Sequence, residues 1–253
     1  MKKLKLQVKF SGSNYFGWQV QNQAGPTVQG TLNTALEKVY KEKIKTIGSG
    51  RTDARVHSLD HHVVFTPPFS IPSDSLIKAL NSHLPEDIRI YTCVEVENDF
   101  RATNDAIKKE YRYLFTNDPI GSPFQNDLMT NLTFDLNFDA MFRACEAFIG
   151  SYDFENFHCT GSDPASTIRE IYECEIIKVD PDFHGILGPH YCLRVVGNGF
   201  LKQMVRLIVG TVWSHGRGKV SIEDIQKSLA LEDAGHLAAV APAQGLYKFK
   251  VHY

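Results

Sequence analysis

Residues 43–68 read KIKTIGSGRTDARVHSLDHHVVFTPP, and the architecture turns on how they divide. The first five read as a short strand. Residues 61–66 form a second, β-branched strand that the Pro67-Pro68 pair closes. The run from Gly48 to His62 holds two aspartates, two arginines, three histidines and two glycines, with little to bury. Two strands joined through a polar loop are the middle of a β-α-β-β-α-β unit.

The flanking segments supply the rest of that unit. Leu4, Leu6, Val8 and Phe10 alternate with polar residues, which predicts a strand over 3–10. Thr27 is the expected N-cap of a helix to about Lys41, with Val28, Leu32, Leu36 and Val39 on its apolar face. Ser73 or Asp74 is expected to cap a helix carrying Leu76, Ile77, Leu80 and Leu84, and a strand follows over 88–96. The second half repeats the order. Strand 109–116 precedes a helix at 138–149, strands at 170–179 and 190–197, a helix from about Phe200 to Trp213, a further helix capped by Ser221, and strand 245–252. The expected class is α+β. Two ferredoxin-like (βαββαβ) halves, 1–105 with a catalytic loop at 48–58 and 106–253, join into one extended mixed sheet with a central cleft and helices on one face. Loop 117–137 is long and rich in Pro, Gly and Asn, hence irregular.

Composition is that of a soluble globule: 253 residues, 43% apolar, 22% charged, with no run that could span a bilayer. MKKLKLQVKF lacks the apolar core of a signal peptide, and five scattered cysteines without C-x-x-C suit neither a disulfide framework nor a cysteine zinc site. A cytoplasmic protein is expected. A net charge of −2 argues against a blanket polyanion binder but leaves room for a local basic cleft.

The polar loop has two readings. As a turn, it uses Gly48 and Gly50 for positive φ, while Asp53 folds back on backbone amides. As a site, it surrounds Asp53 with Arg51, Arg55 and His57, cations that keep a carboxylate ionised for use as nucleophile or base. The Asp60-His61-His62 run resembles manganese-dependent phosphoesterases, but no D-x-D cluster accompanies it. His61 and His62 open a strand, so they point to opposite faces, and no metal is expected. In KKEYRYLF, Tyr111, Tyr113 and Phe115 share a face; the last two suit core packing, while Tyr111 opens the strand and could stack on a base. Lys202 and Arg206 share one face of a very apolar helix, where an arginine needs an anion: either any nearby acid or Asp53 itself. In APAQGLYKFKVHY, Pro242 and Gly245 shape a turn, and Leu246 and Tyr247 begin the last strand.

Together these segments resemble the TruA family of tRNA pseudouridine synthases over nearly the whole chain. FSGSNYFGWQVQ is similar to the family's opening Y-x-G-x-x-Y-x-G-x-Q-x-Q, with Phe10 at the first tyrosine, and GSGRTDARVH to its G-R-T-D-A-G-V-H motif. TVQGTLNTAL, NSHLPEDIRI, KEYRYLF, GNGFLKQMVRLIVG and APAQGLY follow in family order. The resemblance implies isomerisation of uridine to pseudouridine in the anticodon arm of tRNA, at about positions 38 to 40. It implies Asp53 as the catalytic aspartate, Tyr111 as the ring against the target base, and Arg206 as the partner of Asp53. Arg51 would hold open the space left by the extruded nucleotide, and Leu246 would form an apolar wall of the pocket. It further implies a homodimer that needs neither metal nor cofactor, with one tRNA across both subunits.

The chain departs from the family pattern in three places. Arg55 replaces a glycine, where positive φ is wanted; Thr103 and Ser166 replace arginines. Lys108, Lys109, Arg112, Lys202, Arg217 and Lys219 are candidate phosphate contacts. The competing classes are an RNA-binding module without catalysis and a metal-dependent phosphoesterase.

Overall fold

The computed structural model describes residues 2–21, 25–159, 161, 164–180, 187–232 and 235–253. In chain order it contains β1 (Lys3–Phe10), α1 (Val28–Tyr40), β2 (Ile47–Gly48), β3 (His57–Phe65), α2 (Ser73–His83), β4 (Ile88–Val96) and β5 (Lys108–Thr116). Then come β6 (Thr130–Asn131), α3 (Phe138–Ala147), β7 (Gly150–Asp153), β8 (Ile168–Val179), β9 (His190–Gly197), α4 (Met204–Gly216), α5 (Ile222–Leu229) and β10 (Leu246–His252). The fold is α+β. The chain forms two compact units, Met1–Ile107 with Tyr247–Tyr253, and Lys108–Leu246. Sequence order placed the closing strand in the second half; its residues from Tyr247 onward lie with the first unit, against β3.

In the first unit β1 lies between β4 and β3, antiparallel to both. Its alternation is the expected one: Leu4, Leu6, Val8 and Phe10 are buried. Above them sits α1, whose N-cap Thr27 accepts from the Gly30 amide at 3.2 Å. Val28, Leu32 and Leu36 close the core against β1, with Val39 partly buried beside them. Each aliphatic side chain buried this way contributes about 1.5–3 kcal/mol.

The other edge of β3 is shared. β2 pairs antiparallel with its C-terminal part, Ile47↔Val64 and Gly48↔Val63. β10 pairs parallel with its first residues, Tyr247↔His57 and Lys248↔Ser58. This long-range pairing starts β3 at His57, four residues before the strand that local composition predicts. Conversely, strand 43–47 shrinks to Ile47–Gly48, because α1 takes the preceding polar groups. Gln29 Nε2 donates to the Thr46 carbonyl at 3.1 Å, and Thr46 Oγ1 donates to Asn33 at 2.7 Å. The cap of α2 also differs from expectation: it is Pro72, with no side-chain hydrogen bond.

In the second unit β9 runs antiparallel between β5 and β8, and β7 continues the sheet beyond β8. Tyr113 and Phe115 are fully buried, edge-on to Trp213 with ring centroids 5.3 and 5.6 Å apart. Helix α4 begins at Met204, not Phe200, because Gln203 is left-handed at φ 61°. Ser221 caps α5 in a reciprocal capping box with Asp224. Loop 117–137 is irregular apart from β6, which runs parallel to the end of β5.

Candidate active site

The loop carrying Asp53 is fastened on both sides. At its entry Ser49 N donates to the His62 carbonyl at 2.8 Å, and Ser49 Oγ accepts from the His62 amide at 3.1 Å. Thr103, one of the residues that depart from the family pattern, donates its hydroxyl to the Gly48 carbonyl at 2.9 Å. At its far side the loop lies on residues 12–18. Trp18 N donates to Thr52 O at 3.1 Å, Arg55 N to Tyr15 O at 3.1 Å, and Gly12 N to His57 Nδ1 at 3.1 Å. Residues 17 and 18 are themselves tied to the start of α1, through Val28 N to Gly17 O and Gln29 N to Trp18 O. Gly17, at φ +92°, permits the approach; a Cβ there would lie 2.5 Å from Thr52 O. Sheet, helix and loop are thus one mechanical piece.

Asp53 itself is half-buried and opens a turn closed by Val56 N to Asp53 O at 3.2 Å. Arg55 occupies the third position of that turn at φ 66°, where glycine is favoured. The segment is a tight turn, as one reading expects, but of its two glycines only Gly50 has positive φ, at 140°, while Gly48 is extended at the end of β2. Arg51 is exposed, with Nε donating to Gln19 Oε1 at 3.0 Å.

His61 and His62 diverge as strand geometry requires. The His61 ring lies 3.9 Å from that of Trp18, while His62 Nε2 meets Asp60 Oδ1 at 3.0 Å and its ring faces Tyr253 edge-on. Asp60 also accepts from Gln7 at 2.7 Å and the Val251 amide at 2.8 Å. Among the described residues no three His, Cys, Asp or Glu side chains cluster as a metal site would need. Burial pushes the Asp60 carboxyl up, but the bonds from His62, Val251 and Gln7 outweigh it and hold the group at about 2, below 3.8. A folded value below the unfolded one means stabilisation that is complete above about pH 4 and fades as pH falls toward 2. Urea midpoints of wild type and Asp60→Asn should therefore differ at neutral pH and converge in that acid window. A constant gap would assign the effect to shape alone.

In the second unit Arg206 is half-buried near the start of α4, and its Nε donates to Ala241 O at 2.6 Å while Ala241 N donates to Arg206 O at 3.1 Å. The strap continues to Pro242, whose carbonyl accepts from the Tyr113 hydroxyl at 2.6 Å, and on to the buried Leu246. Burial raises the Tyr113 phenol pKa; its bond to Thr130 and the Arg206 charge oppose the rise without overcoming it. Tyr111 is half-buried two residues earlier on β5, its ring edge-on to Phe200 at 5.1 Å. Of the candidate phosphate contacts, Arg112 is engaged by Glu110 at 2.8 Å and Arg217 lies over the Phe134 ring at 4.0 Å.

Two residues beside the loop escaped sequence reasoning. Phe16, next to Gly17, is 54% exposed. Lys248, one residue past the start of the last strand's first-unit part, is fully buried and reaches Ser49. An aromatic pair beside a glycine was a signal for the first. The second had none, since a lysine in an alternating strand reads as solvent-facing.

A protein-family model described as tRNA pseudouridine synthase matches residues 7–104 and 144–253. A tRNA pseudouridine synthase A of Exiguobacterium sp. is 36% identical over 253 residues, covering 100% of this chain and 98% of its own. One of Thermoanaerobacter sp. is 37% identical over 253 residues, covering 100% of both chains. Among solved structures, a Cbf5-Nop10-Gar1 complex aligns with a TM-score of 0.42 and 14% identity, over 96% of this chain and 53% of that one.

Proposed function

We propose, because the chain belongs to the tRNA pseudouridine synthase family, that it isomerises uridine to pseudouridine in the anticodon stem-loop of tRNA, at about positions 38 to 40. The observation that carries this reading is Asp53, half-buried on a loop fastened to sheet and helix, within the matched region. In the reaction the C1′–N1 bond breaks, C1′ bonds to C5, the C5 proton leaves to solvent, and N1 gains a proton. No electrons are gained or lost, so no redox carrier is called for. Positive charge builds at C1′ as the base departs, as in glycoside cleavage, and a carboxylate answers it. Asp53 either attacks C1′ or removes the 2′ proton; both roles need it ionised and rigidly placed. Tyr111, Arg51, Arg206 and Leu246 are the proposed substrate-binding residues. The target base leaves its stack at a cost of about a few kcal/mol, which phosphate contacts offset. A homodimer acting in the cytoplasm without metal or cofactor completes the proposal. Among the described residues no helix is long and apolar enough to cross a membrane.

Phe16 extends the reading to the bases beside the target. An exposed ring next to the glycine that carries the loop suits stacking on a neighbouring base, worth about 1–3 kcal/mol. Phe16→Ala should raise the KM for tRNA by roughly five- to 150-fold on that scale, with kcat and melting temperature close to wild type. An unchanged KM removes Phe16 from the interface.

The test of function is pseudouridine formation in unmodified tRNA by the purified protein, followed by release of the C5 hydrogen. Binding of tRNA without release would favour a non-catalytic module.

A further inference from the structure

Lys248 has no surface exposed, in the part of β10 that belongs to the first unit. Its Nζ donates to Ser49 Oγ at 2.5 Å and lies 3.4 Å from His61 Nδ1. Its carbonyl accepts from Ser58 Oγ at 3.1 Å, so β10 grips β3 through main chain and side chain at one residue. Ser49 is also fully buried, and it is the residue at which the chain leaves the β2–β3 ladder for the loop. The Ser49 hydroxyl takes the Lys248 ammonium and the His62 amide, while its own amide is used by the His62 carbonyl. Asp53 follows four residues later.

A buried ammonium carries a desolvation cost that an apolar side chain of similar length avoids. Methionine would fill the same volume without it. A lysine kept at that cost points to a role beyond stability, and what its ammonium reaches is Ser49, at the entry of the loop that carries Asp53. Misplacing a reacting group by about 1 Å can cost on the order of a hundredfold in rate.

We propose that Lys248 is a positioning residue for the isomerisation: its ammonium, through Ser49, fixes the loop so that Asp53 meets the sugar in reactive register. The proposal rests on the assignment of Asp53 above. It excludes a merely structural role, because the same substitution should leave folding intact and slow turnover.

The experiment is a double-mutant cycle of Lys248→Met and Ser49→Ala, read by single-turnover rate, KM for tRNA and thermal midpoint. Lys248→Met should keep or raise the midpoint, leave KM within twofold, and lower kcat at least tenfold. Ser49→Ala should lower kcat in the same way, and the double variant should be no slower than the slower single one. A kcat within twofold of wild type for Lys248→Met, or losses that multiply in the double variant, would overturn the proposal. So would a loss confined to KM. If Lys248→Met does not fold, Ser49→Ala decides alone, with its thermal midpoint as the control, since it keeps the lysine and removes the hydroxyl that links it to the loop along with that hydroxyl's bond from the His62 amide. An inactive wild-type protein would instead overturn the functional reading itself, which keeps the two failures distinct.

Discussion

Asp53→Asn is expected to abolish pseudouridine formation, by at least about 10⁴-fold, the scale on which removal of a group performing bond chemistry acts. Binding of tRNA should stay within roughly threefold, because affinity for RNA rests mainly on backbone and stacking contacts. The reason is local. Asn keeps the shape of Asp, and the turn that displays it is made from main chain, Val56 N to Asp53 O and Arg55 N to Tyr15 O. What is lost is the negative charge. Single-turnover release of the C5 hydrogen, alongside a filter-binding titration, reads both quantities. Residual turnover near wild type would move the chemistry to another group; joint loss of binding and turnover would make Asp53 a structural residue.

Gly210→Ala should damage both stability and turnover from a position outside the loop. Gly210 lies one turn beyond Arg206 on the same face of α4. A Cβ there would sit 2.1 Å from Ala239 O, a backbone atom that cannot give way without moving the strap of residues 238–241. That strap holds Arg206 by the reciprocal pair with Ala241. Alanine gains about 1 kcal/mol of helix propensity, while forcing a group into a packed interface costs about 1–3 kcal/mol. The net on those figures is a loss of about 0–2 kcal/mol, and an approach of 2.1 Å to a backbone atom puts it at the upper end. Turnover should fall more than tenfold, as Arg206 loses its seat. Urea unfolding and single-turnover rates check the two together. A variant more stable than wild type, with full activity, would show that the strap yields freely.

Much of this was legible in the sequence because it is written locally. The alternation of Leu4, Leu6, Val8 and Phe10, the caps at Thr27 and Ser221, and the burial of Tyr113 and Phe115 follow from neighbours within a few residues. The turn at Asp53 was also legible, from the aspartate and the two glycines that precede it. What local pattern could not give was set by partners far along the chain. β3 begins at His57 because β10, nearly 190 residues later, pairs with it. The strand around Ile44 is curtailed because Gln29 and Asn33 of α1 claim Thr46. Lys248 carried no local signal, because alternation reports the faces of a strand and not the partner that Ser49, nearly 200 residues earlier, provides. Arg55 is the intermediate case: the expectation of positive φ came from the pattern, and the value of 66° confirms that the arginine is seated where glycine would cost less.

The decisive measurement is to map pseudouridine at single-nucleotide resolution in unmodified tRNA after incubation with the purified protein, in buffer containing a metal chelator, beside the same tRNA treated with Asp53→Asn. Pseudouridine should appear in the anticodon stem-loop at about positions 38 to 40 with the wild type and nowhere with the variant. Bound tRNA that stays unmodified, or modification that survives in Asp53→Asn, would be incompatible with a catalytic carboxylate at Asp53.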